Sequence, residues 1–147
     1  SIGNNVLIQE NSTLSTWHTY HGNTVGYDTK LKIGDNCSFG SNTHITCINK
    51  VMIGSGVLFG KNVTITDNSH GMTDESEIEI RPSERKLYSK GPVIIQDNVW
   101  LGDKVTVLPN VTIGRCSIIG ANSVVTHSIP PYSMGGGNPC CIIKKIK

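Results

Sequence analysis

The sequence predicts an all-β chain wound into a parallel β-helix. Three features of the 147 residues predict it. An aliphatic or aromatic residue recurs in steps of six, at Ile2, Ile8, Ile33, Phe39, Ile45, Ile53, Phe59, Ile65, Ile95, Leu101, Val107, Ile113 and Ile119. Gly follows directly at eight of these thirteen positions, and Asn stands three residues on at nine, among them Asn5, Asn36, Asn68, Asn98 and Asn122. Two residues before the recurring position the side chain is small or β-branched, as at Cys37, Val57, Val99, Val111, Ser117 and Ser123.

The physics of each position is direct. Two inward side chains spaced by two make a short strand with one buried face. Gly and Asn tolerate positive φ, which a sharp corner demands. Each six-residue unit therefore reads as a strand and a corner. Such strands are too short to bury much as hairpins. Stacked as coils about 4.8 Å apart they pair above and below and pile the recurring residues into one column. Three units close a triangular coil, and the run from Ile95 through Val125 gives two uninterrupted coils. A period of this kind marks a solenoid. Five to six coils are expected in one domain over residues 1–147.

Two departures interrupt the pattern. The step from Ile45 to Ile53 is eight, a two-residue insertion at a corner. Between Ile65 and Ile95 the repeat is lost, and an extended loop is expected at about 71–92, with nine of the chain's 24 charged residues in it. A loop of that length inside a regular solenoid points to function. Residues 14–32 are also irregular: Val25 and Tyr27 fit the register, whereas Trp17, His18 and His21 do not. The last residues read as a C-terminal tail.

Composition narrows the function classes. Aromatics are only 5% of the chain, so the core must be aliphatic. A net charge of +2 is too weak a bias for nucleic acid. Five cysteines without framework spacing argue against a secreted disulfide scaffold, and the absence of a CxxC pair argues against a zinc knuckle. No apolar run approaches the roughly 18 residues of a membrane span, and no signal peptide is visible. A cytoplasmic location is expected. Ser1 already lies inside a repeat, which fits a trimmed N-terminus.

The repeat, together with NVWLG at 98–102, LPNVTIG at 108–114 and IPPYS followed by GNP between 129 and 139, resembles the hexapeptide acyltransferase family. The similarity is greatest to galactoside and maltose acetyltransferases and to O-acetyltransferases of lipopolysaccharide and capsule biosynthesis, and it spans roughly residues 33–145. The resemblance implies a left-handed helix, a homotrimer with active sites between subunits, acetyl-CoA as co-substrate, and no metal.

Residue by residue, the resemblance implies that His70, in ITDNSHG at 65–71, is the general base. A sugar hydroxyl is a poor nucleophile near neutral pH. Imidazole, with an ordinary pKa of about 6.5, can take its proton as it attacks a thioester, with no covalent enzyme intermediate. Polysaccharide-branch relatives carry two histidines in a DHxHG motif; here the first is replaced by Asn68, leaving Asp67 or a backbone carbonyl to orient the ring. Trp100, one residue before Leu101, should point outward and wall the cleft near the thioester. The backbone amide of Asp103 matches the one that holds the thioester carbonyl, a fixed donor suited to an oxyanion.

Ala121, Thr126 and His127 match pantetheine contacts. Two arginines that reach the nucleotide in galactoside-type relatives correspond to Cys141 and Lys144, and only Lys144 keeps the charge. On the acceptor side the candidates are Asn42, Asp67 and Asn68. The sugar-contacting positions of the galactoside branch fall on Ser38, Gly40 and Ile48 and are unmatched, so the expected acceptor is a surface-polysaccharide sugar or glycan.

Three other readings compete. A γ-type carbonic anhydrase needs three histidines around one metal, and histidines 18, 21, 44, 70 and 127 lack that family's two-histidine spacing. A non-catalytic β-helix scaffold would bind no acetyl-CoA. The third is acetylation of an amine, by an N-acetyltransferase of an amino sugar or an antibiotic-modifying enzyme, and antibiotic-acetylating relatives also carry a His–Trp pair.

Overall fold

The computed structural model describes residues 1–147, a parallel β-helix of five coils and part of a sixth. Each coil places one recurring residue on each of three faces: Ile2, Ile8 and Leu14 in the first, Ile33, Phe39 and Ile45 in the second, then Ile53, Phe59 and Ile65, then Ile95, Leu101 and Val107, then Ile113, Ile119 and Val125. Ile129 and Gly135 begin the sixth.

The first face stacks Lys30–Ile33, Lys50–Ile53, Val93–Ile95 and Thr112–Ile113. The second stacks Leu7–Ile8, Ser38–Phe39, Leu58–Phe59, Trp100–Leu101, Ile118–Ile119 and Ser133–Gly136. The third stacks Thr13–Thr16, His44–Cys47, Thr64–Thr66, Thr106–Val107 and Val124–Val125.

The corner chemistry is as expected. Eight of the nine repeat asparagines adopt positive φ, between 52° and 64°; Lys104 and Cys116 take the same conformation at the equivalent position. Asn68 is the exception, because the chain leaves the coil there. Inside, from the second coil on, the recurring residues and the small residues two before them form, with Cys47 and Cys140, one core of 23 buried side chains, while Ile2 and Ile8 of the first coil are exposed. Phe39 and Phe59 stack face to face with ring centroids 4.3 Å apart, and Leu101 and Ile119 continue their column. Burying each such side chain contributes roughly 1.5–3 kcal/mol. Every buried side-chain polar atom has a hydrogen-bond partner.

The glycine after the recurring residue has a packing reason. A Cβ on Gly114 would lie 2.2 Å from the Pro131 nitrogen of the next coil, whereas one on Gly120 would find nothing nearer than 3.6 Å.

Paired strands are 31 residues apart between coils one and two, 20 between two and three, and 42 between three and four (Leu7 with Ser38, Ser38 with Leu58, Leu58 with Trp100). They are 18 apart between coils four and five and 16 beyond (Trp100 with Ile118, Ile118 with Met134). The extra residues all leave the helix at one vertex, where the third face turns into the first: after Leu14, after Ile45 and after Ile65. The first coil, uncertain from sequence, is therefore complete. Val25 and Tyr27 do not continue the repeat; they belong to the first excursion.

That excursion carries a hairpin, Thr19–Tyr20 against Asn23–Thr24. His21 and Gly22 at its tip both have positive φ, which suits a two-residue turn between right-twisted strands. The expected loop at about 71–92 is organised by Ser69–His70 pairing antiparallel with Leu87–Tyr88 and a 3₁₀ turn at Pro82–Glu84. Arg85 ties it internally, donating from Nε to the Ile80 carbonyl at 2.9 Å and from Nη2 to that of Ile78 at 3.1 Å. The expected tail folds back as Cys141–Lys145, antiparallel on Ser133–Gly136.

Candidate functional site

The three excursions stack on one another along their shared vertex. Asp67, fully buried at the root of the long one, accepts backbone N–H groups of the short one: Ile48 at 2.9 Å, Asn49 at 2.8 Å and Lys50 at 2.7 Å. The Asn68 side-chain amide donates to Thr46 Oγ1 at 3.2 Å and to Asp67 Oδ1 at 3.0 Å. Tyr27, from the first excursion, accepts the Ser89 N–H from the third at 3.1 Å. Thr29 donates to the Ile48 carbonyl at 2.5 Å.

This revises two expectations. Asp67 lies inside, its oxygens occupied by backbone donors, so it neither faces an acceptor nor orients His70. Asn68 has both amide protons bound within the chain.

His70 is exposed on the short strand Ser69–His70. Its ring partner comes from the first excursion: Tyr20 Oη lies 3.4 Å from His70 Nδ1, with the rings edge to face at 5.7 Å. Tyr20 Oη also donates to the Ser83 carbonyl at 3.1 Å. Sequence reading missed Tyr20. The Tyr-His-Gly-Asn turn signal was present, but nothing in it indicates a partner 50 residues away. A cleft of about 650 Å³ opens on the Tyr20 side of this pair, between the two excursions, lined among others by Tyr20, His21, Asn23, Ser83, Lys86 and Leu87 but not by His70 itself.

The remaining candidates divide into groups. Trp100 points outward from the second face, half exposed, in the fourth coil. Asp103 follows it at the vertex between the second and third faces. Its carboxylate accepts the Lys61 N–H at 2.8 Å, while its own backbone N–H donates to no group of the chain. Ala121 sits on the same vertex one coil on, its nitrogen 2.7 Å from where a Cβ on Gly102 would be. Asn42 occupies that vertex in the second coil, exposed, with φ of 61°.

Thr126 and His127 lie instead at the vertex of the excursions, two coils past His70, with Thr126 Oγ1 2.9 Å from His127 Nδ1. Lys144 is exposed on the returning strand opposite Met134.

The geometry separates His70 from Trp100 within one chain. In a three-sided prism the vertex between the third and first faces lies opposite the second face. His70 leaves from that vertex and Trp100 stands on that face, so no single-chain cleft holds both.

No helix is long and apolar enough to cross a membrane, and no three His, Cys, Asp or Glu side chains converge as metal ligands do. Burial raises the thiols of Cys37, Cys47 and Cys140, with Cys47, above the Asp67 carboxylate charge, pushed up to about 12.

Comparison with known proteins agrees with this architecture. Residues 92–127 match the family model described as bacterial transferase hexapeptide (six repeats), and residues 30–48 the one described as hexapeptide repeat of succinyl-transferase. The chain is 43% identical over 115 residues to WbbJ of Escherichia coli K12, a candidate lipopolysaccharide biosynthesis O-acetyl transferase, covering 76% of this chain and 58% of that one. It thus spans little more than half the length of the curated relatives it matches.

Among solved structures, it superposes on a hexapeptide-repeat-containing acetyltransferase of Vibrio cholerae complexed with acetyl coenzyme A with a TM-score of 0.77 and 26% identity, over 99% of this chain and 70% of that one. On a galactoside acetyltransferase in complex with coenzyme A the TM-score is 0.76 and the identity 31%, over 99% and 64%. The shared fold is the left-handed parallel β-helix. With its repeat, its corner residues and its excursions all at one vertex, the chain belongs to the hexapeptide-repeat acetyltransferase family.

Proposed function

We propose that residues 1–147 form one acyltransferase domain that moves an acetyl group from acetyl-CoA to a sugar hydroxyl, working as a homotrimer. The observation that carries this reading is the separation of His70 from Trp100 and Asp103 in a chain related to acetyl-CoA-binding enzymes. Asp103 stands at the vertex between the second and third faces, with Trp100 just before it on the second face, and His70 leaves from the other vertex of the third face, so a threefold head-to-tail assembly would set one group of each chain against the other group of its neighbour. Active sites then lie between subunits.

In that cleft the chemistry is acid–base. His70 takes the proton of the acceptor hydroxyl while the oxygen bonds to the acetyl carbonyl carbon. The unused N–H of Asp103 faces the carbonyl oxygen as its charge grows. The carbon–sulfur bond breaks, and the proton passes from His70 to the departing thiolate. Trp100 walls the thioester. Ala121, Thr126 and His127 line the pantetheine path, and Lys144 sits near the phosphates. Asn42 is an acceptor contact, and the cleft lined by Tyr20 and Leu87, the two neighbours of His70, offers room for a sugar ring.

Similarity to WbbJ and the charged excursion favour an acceptor in surface-polysaccharide assembly, on the cytoplasmic side where acetyl-CoA is made.

The test is thiol release from acetyl-CoA over a pool of sugars, nucleotide-sugars and oligosaccharides, with mass spectrometry of the pool. An added acetyl on a hydroxyl supports the reading, and one on an amine redirects it to N-acetylation. No thiol release and no acetyl-CoA binding would leave a scaffold.

A further inference from the structure

We infer that Tyr20 is a positioning residue that fixes the tautomer of His70, leaving Nε2 as the nitrogen free to accept a proton. The inference rests on His70 being the base proposed above, but its first test does not depend on that role.

A single hydroxyl at the meeting point of the two excursions decides where the imidazole proton sits. Tyr20 Oη has one proton and two neighbours, the Ser83 carbonyl oxygen at 3.1 Å and His70 Nδ1 at 3.4 Å. A carbonyl can only accept, so the phenolic proton belongs to the Ser83 contact. The remaining lone pairs of Oη then face His70 Nδ1, and the contact is a hydrogen bond only if Nδ1 carries the proton. In neutral imidazole a proton on Nδ1 leaves Nε2 bare. Free histidine prefers the opposite tautomer, so without Tyr20 the ring would present the wrong nitrogen part of the time.

Three features hold the phenol in place. The His21-Gly22 turn sets the hairpin that carries it. Its ring meets His21 edge to face at 4.2 Å and Trp17 at 6.3 Å. Ser83, the acceptor, lies in the 3₁₀ turn of the same excursion whose other arm pairs with His70 through Leu87. The first and third excursions therefore meet at this hydroxyl. The nearby carboxylates are occupied elsewhere: Asp67 accepts three backbone N–H groups of the short excursion, and Glu77 accepts the Met72 N–H.

Nitrogen-15 NMR of the imidazole reads the tautomer directly, at a pH where the ring is neutral. In the wild type, His70 should show a protonated Nδ1 and a bare Nε2. In Tyr20→Phe, which keeps the ring contacts but removes the hydroxyl, the population should move toward protonated Nε2. Kinetically, kcat of Tyr20→Phe should fall about fivefold to tenfold, the size of one neutral hydrogen bond, with KM for acetyl-CoA unchanged.

A wild-type His70 protonated on Nε2, or a tautomer that ignores Tyr20→Phe, overturns the inference. A tautomer that moves while kcat does not would uphold Tyr20's hold on the ring and overturn His70 as the base.

Discussion

Asp67 Oδ2 accepts the backbone N–H of Lys50 at 2.7 Å, joining the root of one excursion to the point where another, 17 residues earlier, rejoins the first face. The same carboxylate also takes the N–H groups of Ile48 and Asn49. Asp67→Ala should leave three donors without a partner, each costing about 1–3 kcal/mol where buried. The urea midpoint should fall by an amount equivalent to roughly 3 kcal/mol or more, and Asp67→Asn, which retains one acceptor oxygen, should fall between. A midpoint unchanged in Asp67→Ala would show that water replaces the carboxylate there.

His70→Ala should lower kcat by about 100-fold or more, the usual contribution of a general base, with acetyl-CoA affinity unchanged. Steady-state kinetics and a direct binding titration check both halves. Loss of both together would mean that His70 supports the structure of the excursion.

If active sites lie between subunits, two defective chains should complement each other. Trp100→Ala and His70→Ala are each expected to be weakly active alone. Refolded together in equal amounts, random trimers would carry both native residues at about a quarter of their sites. Activity restored to about that fraction of wild type supports the shared site, and activity no higher than the mean of the two parents sinks it.

Gly114→Ala and Gly120→Ala make a paired test of coil stacking. Both glycines follow a recurring isoleucine, yet only at Gly114 would the new methyl strike backbone, 2.2 Å from the Pro131 nitrogen. Thermal melting should show a large loss for Gly114→Ala and little change for Gly120→Ala. Equal losses would mean that the cost arises from the corner conformation instead.

Cys47 gives the chain an alkaline weakness. Its thiol is pushed from the ordinary 9.0 to about 12 by burial and by the Asp67 charge. Below about 9 the thiol is protonated whether the chain is folded or not, and its contribution is fully present. Between 9 and 12 the unfolded chain releases a proton that the folded chain keeps, so stability falls as pH rises through that window. Melting temperatures across it should drop less steeply for Cys47→Ala. In the native state a thiol reagent should react fastest at exposed Cys141, and should spare Cys37, Cys47 and Cys140. Fast labelling of Cys47 would contradict its burial.

The coils were legible because each of their positions has one strong physical requirement. Asn110 must turn a corner, Val111 must fit under its neighbour, and Ile113 must fill the column. Leu14 satisfies the same requirement but stands alone between Ile8 and a break, so its rung could not be read. The excursions obey no period. Asp67 reads as a polar residue beside a histidine until the coil below brings three N–H groups to it. Tyr20 reads as one aromatic in an irregular stretch until two excursions from the same vertex meet. Residues that the repeat governs can be placed from sequence; those it releases depend on neighbours a coil away.

The uneven spacing between coils also bears on how the chain folds. Pairing the third coil with the fourth closes 42 residues, against 18 for the fourth with the fifth. In equilibrium terms the difference is small, since each doubling of a closed loop costs only about 0.6 kcal/mol. In time it matters more, because distant contacts form only after that entropy is overcome. Coils two and three, 20 residues apart, and the regular coils from Val93 onward are therefore expected to form as two separate units. The 42-residue closure joins them last, and until it does each unit ends in an open hydrophobic column.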